Sequence, residues 1–341
     1  MRALIAVSVV FAVSAVTIGC ASKPRAAGAG APEETVDEDA PAPTPWAQRR
    51  AEPTRVVAGK SPHASPSLAL DEQPGVSFER ARYVSQDREL LAVIARPASM
   101  PLTADTPVDK LPGVVLVHNG FVLTDDTLAW ARPFVAAGFV VLMPSFRGEN
   151  GNPGDYELLR GELDDLKAAA RFFAEEPDVD VDRLYAFGHS AGGGLVALLS
   201  LDEDQPFKKL ATSNGVYAAT TFLRWKAEDP KKVPFDVKNL DERTVRALVP
   251  NAHEMVHPLV MYVGSDDAWN VKHAAIVKER APAGLADVVT VPGDHMGSLP
   301  EALRRFRELV TTDAFKAPAR VSQLRVPQPR ALRPRASRSA P

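Results

Sequence analysis

The chain has 341 residues, 45% of them hydrophobic, with a formal net charge of -3. So near-neutral a balance argues against a dedicated nucleic-acid binder. The only cysteine, Cys20, excludes a disulfide framework and a cysteine-based metal site.

Met1 and Arg2 make a weakly positive start, residues 3–18 are apolar, and Thr17-Ile18-Gly19-Cys20 closes the segment. The run is short for a membrane span and reads as a cleaved export signal over residues 1–20. Its end resembles a bacterial lipoprotein box, which implies lipid on Cys20 and a protein held at the membrane of the cell envelope. Residues 21–74 are rich in Ala, Pro, Ser and Thr and carry the acidic cluster Glu33, Glu34, Asp37, Glu38, Asp39. They offer little apolar surface to offset the entropy of ordering and are expected to form a disordered tether.

The stretch 75–315, about 240 residues, suits one α/β domain with a sizeable core. Residues 76–85 and 90–96 read as an opening antiparallel pair. Later apolar runs are short and continuous, as buried parallel strands are. Val114-Val115-Leu116-Val117 is followed by His118-Asn119-Gly120-Phe121, and a helix is expected over residues 155–176, with Leu158, Leu159, Leu163, Leu166 and Phe173 on one side. Its Glu162, Asp164 and Asp165 read as solvated or paired helix charges.

Leu184-Tyr185-Ala186-Phe187 leads directly into Gly188-His189-Ser190-Ala191-Gly192, with Gly193-Gly194-Leu195 beyond. This is the strand-turn-helix setting of a nucleophile elbow, in which the flanking glycines permit a sharp turn and leave the Ser190 hydroxyl exposed at the head of a helix. Partners follow in the order that architecture uses. The strand-like run 258–263 ends in Gly264-Ser265-Asp266-Asp267, and the strand-like run 287–291 in Pro292-Gly293-Asp294-His295. His295 would take the Ser190 proton and Asp267 would orient the imidazole, with Asp266 the alternative acid. The Ala191 N–H and the Phe121 N–H are the expected oxyanion donors, the second open to a slip of one residue. Residues 207–250, longer than a plain crossover, are expected to hold one strand and a partly helical cap with Phe222, Trp225 and Phe235. Most of these aromatics, like Trp269, are read as packing residues.

These pieces, with 134–142, Arg147-Gly148-Glu149-Asn150-Gly151-Asn152-Pro153-Gly154 and Val181-Asp182-Arg183-Leu184-Tyr185, resemble the α/β-hydrolase fold, in its prolyl-oligopeptidase and dienelactone-hydrolase branch. That resemblance implies a mostly parallel central sheet flanked by helices, with a small cap insertion. It also implies acyl transfer to water through an acyl-enzyme, with an ester or small peptide as substrate and no cofactor. Dienelactone hydrolases use a cysteine where this chain has Ser190, and no repeated strand pattern of a propeller is visible.

Two other readings compete. His253-Glu254-Met255-Val256-His257 matches H-E-x-x-H, so a zinc metallopeptidase would use His253, Glu254 and His257. Pro250 and Pro258 bracket that stretch, however, and no third ligand follows at a suitable spacing. A surface-anchored binding protein on a hydrolase scaffold is the third. The basic, proline-rich tail 316–341 reads as solvated, with surface adhesion as the alternative.

Overall fold

A strand whose residues are apolar in succession must find cover on both faces. The computed structural model describes residues 40–54, 56–63, 66–70, 74–98 and 110–315. Its strands are β1 (Val76–Ser85), β2 (Arg88–Pro97), β3 (Leu111–Val117), β4 (Val140–Pro144), β5 (Val179–His189), β6 (Lys209–Ser213), β7 (Leu259–Gly264) and β8 (Ala286–Val291). They form one sheet in the order β1-β2-β4-β3-β5-β6-β7-β8. β2 pairs antiparallel with β1 and with β4, and every other pairing is parallel.

The helices are α1 (Trp46–Ala51), α2 (Asp125–Ala129), α3 (Arg132–Val135), α4 (Gly161–Ala174), α5 (Ala191–Leu199), α6 (Thr220–Glu228), α7 (Leu240–Thr244), α8 (Ala268–Arg280) and α9 (Leu299–Ala314). Alternate residues of the inner strands serve opposite layers. Val115, Val117, Leu142 and Ala186 join Leu163, Phe173, Leu195, Leu199 and Val277 of α4, α5 and α8. Val114, Leu116, Val141, Tyr185 and Phe187 join Phe134 of α3 and Phe306 and Val310 of α9. The sheet is therefore a middle layer, and loops leaving the carboxyl ends of the adjacent strands β5, β6, β7 and β8 open side by side. In such sheets that edge is where ligands bind.

The expected α/β-hydrolase architecture is present, including the antiparallel opening pair, with two corrections. The helix expected from residue 155 begins only at Gly161. Before it, Leu158 and Leu159 take φ of 56° and 65°, and Glu162 turns back to accept the N–H groups of Glu157, Leu158 and Arg160 at 2.7, 3.1 and 3.1 Å. A side chain that captures these N–H groups holds the preceding residues out of the helix. Burial pushes the Glu162 carboxyl up to about 8.

The second correction concerns the tether, whose described part, from residue 40 on, packs on the domain. Trp46 is 4% exposed. Its Nε1–H donates to Val245 O at 3.0 Å and its backbone N–H to Glu254 Oε2 at 2.9 Å. Arg49, also buried, donates to Thr244 Oγ1 at 2.8 Å and to Asn251 Oδ1. Farther along, Val56 bridges Phe235, and the Ser61 hydroxyl donates to Phe121 O at 2.5 Å. A proline-rich average hides one anchoring indole; residues 46–54 and 56–61 pack as a strap running from the cap to the loop after β3. Residues 1–39 and 316–341, with the expected signal, Cys20 and basic tail, lie outside the described residues.

The strap predicts a measurable stability contribution. Trp46→Ala should cost about 3 kcal/mol in urea unfolding, the order expected for removing a buried indole. An unchanged midpoint would mean that the segment is a tether after all.

Candidate active site

β5 delivers Ser190 into a turn too tight for ordinary backbone. Ser190 has φ 55° and ψ -118°, a conformation that costs on the order of 1–3 kcal/mol and persists only where its surroundings enforce it. Those surroundings are close. A Cβ on Gly188 would collide with Gly192 O, and one on Gly192 with His118 O and Val117 O. The two glycines thus let the strand end, the head of α5 and the loop after β3 meet at backbone distance.

The three residues expected as a triad come together at that edge. His295 Nε2 lies 3.1 Å from Ser190 Oγ, and His295 Nδ1 lies 2.7 Å from Asp267 Oδ2. Asp267 also caps α8, accepting the Asn270 N–H at 3.1 Å and the Asn270 side-chain amide at 2.8 Å. One carboxylate therefore both caps a helix and holds the imidazole. Asp266 stands aside: its Oδ1 faces the Ser265 hydroxyl at 3.1 Å and it is exposed. Burial raises the Asp267 carboxyl, but the hydrogen bonds from His295 and Asn270 outweigh it and hold the group at about 2. Asp267 is thus anionic at any ordinary pH, and a carboxylate at Nδ1 places the ring proton there and leaves the Nε2 lone pair toward the hydroxyl.

Ala191 and Phe121 line one small pocket next to the elbow, together with Gly120 and His118. Gly120 has φ 67°, which turns the loop after β3 back over the helix head. Among the described residues the Phe121 N–H meets no acceptor, while its carbonyl is held by Ser61. His118 is buried, with Nδ1 3.2 Å from Asn119 O and Nε2 3.1 Å from Glu149 Oε2. It is a strand-end histidine held by backbone, with the Glu149 carboxylate as a further neighbour.

Two site features were not read from the sequence. Asn214, at φ 44° just past β6, accepts the Gly264 N–H at 2.9 Å. Its amide donates to His295 O at 2.9 Å and to Ser298 Oγ at 2.8 Å. One side chain thus ties the ends of β6 and β7 to the histidine loop; an asparagine directly after a strand-like run was its only sequence signal. The second is His189, fully buried, whose Nδ1 lies 2.9 Å from Ser213 O and whose ring centre lies 5.1 Å from that of His295. Burial, with the His295 ring alongside, lowers it to about 4.

The aromatics of the cap divide. Phe222 and Phe235 are core residues, 0% and 3% exposed, whereas Trp225 and Trp269 line the cleft with Ser190, Asn214, Arg224 and His295, a space of about 380 Å³. Trp225 also packs edge-on to Phe121, with ring centres 5.5 Å apart. The H-E-x-x-H stretch does not make the helical face a zinc site needs. Its 3-10 turn (Val249–Glu254) ends at Met255 with ψ 134°, and Pro258 disfavours helix at the residue before it. Glu254 is occupied by the Trp46 N–H. His253 and His257 therefore do not share a helix face, which removes the geometric basis of the zinc reading.

Comparisons with known proteins place the chain among serine peptidases and hydrolases. The model of the prolyl oligopeptidase family matches residues 127–277. An uncharacterized peptidase, YtmA of Bacillus subtilis, is 25% identical over 215 residues, 58% of this chain and 77% of that protein. Among solved structures, a puromycin-hydrolyzing peptidase of Mycobacterium tuberculosis superposes with a TM-score of 0.58 at 17% identity, over 72% of this chain and 40% of that one. The acylaminoacyl peptidase of Pyrococcus horikoshii gives 0.54 at 19%, over 69% and 40%. A fluorophosphonate-binding serine hydrolase of Staphylococcus aureus gives 0.55 at 15%, over 69% and 98%. The chain spans well under half the length of the first two of these solved structures. Family match, peptidase relative and the Ser-His-Asp contacts together make the chain a serine hydrolase.

Two outcomes follow from these contacts. Asn214→Ala should leave the fold intact and lower kcat by about ten- to a hundredfold, since a shift of about 1 Å in a catalytic group has that order of effect. Wild-type kcat would overturn the tie. His189 has a lowered pKa in the folded state, so between its ordinary value of 6.5 and about 4 the unfolded chain binds a proton that the folded chain refuses. Stability should therefore fall as pH drops through that window, by up to about 3 kcal/mol. Urea titrations at pH 7 and pH 4 should show a smaller loss in His189→Gln than in wild type.

Proposed function

We propose that the protein hydrolyses short peptide amides and small carboxylic esters through an acyl-enzyme on Ser190. The observation that carries this reading is the unbroken contact line from Ser190 Oγ through His295 to Asp267. In it His295 takes the hydroxyl proton as Ser190 attacks the acyl carbon, then returns that proton to the departing amine or alcohol. Water repeats the sequence in reverse, releasing the acid and restoring Ser190. Asp267 stays ionised and stabilises the imidazolium. The Phe121 and Ala191 N–H groups, at the positive end of α5, receive the oxyanion.

The family match and the peptidase relative support an amide substrate. The cleft of about 380 Å³, lined by Trp225 and Trp269 beside polar groups such as Asn214 and Arg224, suits a substrate of a few residues. We further propose that the chain is exported and held at the cell envelope through lipid on Cys20. That placement rests on the residue pattern 1–20 alone.

Fluorophosphonate should label the purified protein at Ser190, and Ser190→Ala should abolish both labelling and turnover, by at least about a thousandfold. A panel of p-nitrophenyl esters beside aminoacyl and prolyl amides then separates the substrate classes. Turnover of esters without any amide would remove the peptidase half of the proposal.

A further inference from the structure

The cleft beside Ser190 contains one charge for which hydrolysis itself has no use. Arg224 lies on α6, and its guanidinium carbon stands 4.6 Å from the centre of the Trp269 ring at the start of α8. Trp269 is held in turn by its Nε1–H, which points at Thr221 Oγ1 at 3.3 Å. Thr221 lies one turn before Arg224 on the same helix, so threonine, indole and guanidinium form a small stack joining α6 to α8. Stacking of this kind fixes a long side chain that would otherwise wander in solvent.

The guanidinium is also poorly spent. Its ion pair runs from Nε to Glu228 Oε1 at 3.8 Å, between two half-exposed side chains, which is beyond hydrogen-bond length and weak in water. Nη1 and Nη2 meet no acceptor among the described residues. The other ionisable groups lining the cleft, Asp267 and His295, are committed to each other. What remains facing the substrate space is a planar cation with a free pair of N–H donors, the geometry that matches a carboxylate in two parallel bonds.

We propose that Arg224 makes the enzyme select substrates that carry a carboxylate close to the scissile acyl group. This rests on the hydrolase reading above and narrows it. The carboxylate can belong to the acyl side, as in a half-ester of a dicarboxylic acid or an acidic side chain, or to the departing side, as in a peptide with a free C-terminus.

Two matched pairs separate those sources: 4-nitrophenyl hydrogen glutarate against its methyl ester, and a dipeptide against its C-terminal amide. In wild type, kcat/KM should favour the anionic member of at least one pair by about tenfold, the worth of one charge-assisted contact. The difference should lie mainly in KM, and added salt should shrink it. In Arg224→Gln the ratio should fall to about one, and in Arg224→Glu it should turn against the anion. Equal treatment of both pairs by wild type, or a preference that survives Arg224→Gln or resists salt, overturns the proposal. Ser190 labelling distinguishes the failures. A labelled enzyme without anion preference loses only this inference, whereas a wild-type enzyme that fluorophosphonate does not label loses the hydrolase reading with it.

Discussion

Between His189 and Ala191 the chain must pass from strand to helix within a single residue, and Ser190 accepts a strained backbone to do so. Much else in the molecule exists to enforce that turn. The missing Cβ atoms at Gly188 and Gly192 allow α5 to press on β5 and on the carbonyls of Val117 and His118. Apolar layers on both faces of the sheet keep those elements from relaxing apart. Strain at one residue is thus sustained by the packing of two cores, and its product is a hydroxyl standing clear of its own backbone.

Around that hydroxyl the ionisable groups are driven in different directions by their surroundings. Asp267, well supplied with donors, keeps its charge to about pH 2, while His189, buried behind the elbow, is denied one above about pH 4. The neutral ring of His189 can therefore lie against that of His295 without adding a second charge beside it. Asn214 completes the arrangement mechanically. With three hydrogen bonds it fixes the histidine loop to the ends of two strands, so that the Ser190–His295 distance is set by the sheet.

The elbow was legible because its requirements are local: small residues at fixed offsets, a strand before and a helix after. Asp267 and His295 were legible because each follows an apolar run at a strand's end, and the order of the runs matches the order of the loops. What escaped depended on partners far away in the chain. Nothing near Trp46 announces the carbonyl of Val245 or the carboxylate of Glu254 that receive it, so averaging over a proline-rich stretch called it a tether. The start of α4 was misplaced because Leu158 and Leu159 fit the helical period, while Glu162 claims the N–H groups before the helix. Trp225 and Arg224 acquire meaning only once α6 is seen to border the cleft, which spacing along a single segment does not reveal.

The strap also decides where the catalytic unit begins. An expression boundary drawn at residue 75, where the sheet starts, would strip the indole from its seat beside α7 and leave the carboxylate of Glu254 facing solvent. It would also remove the hydroxyl of Ser61 that holds the carbonyl of Phe121. A recombinant fragment meant to retain hydrolytic competence should therefore start upstream of Trp46.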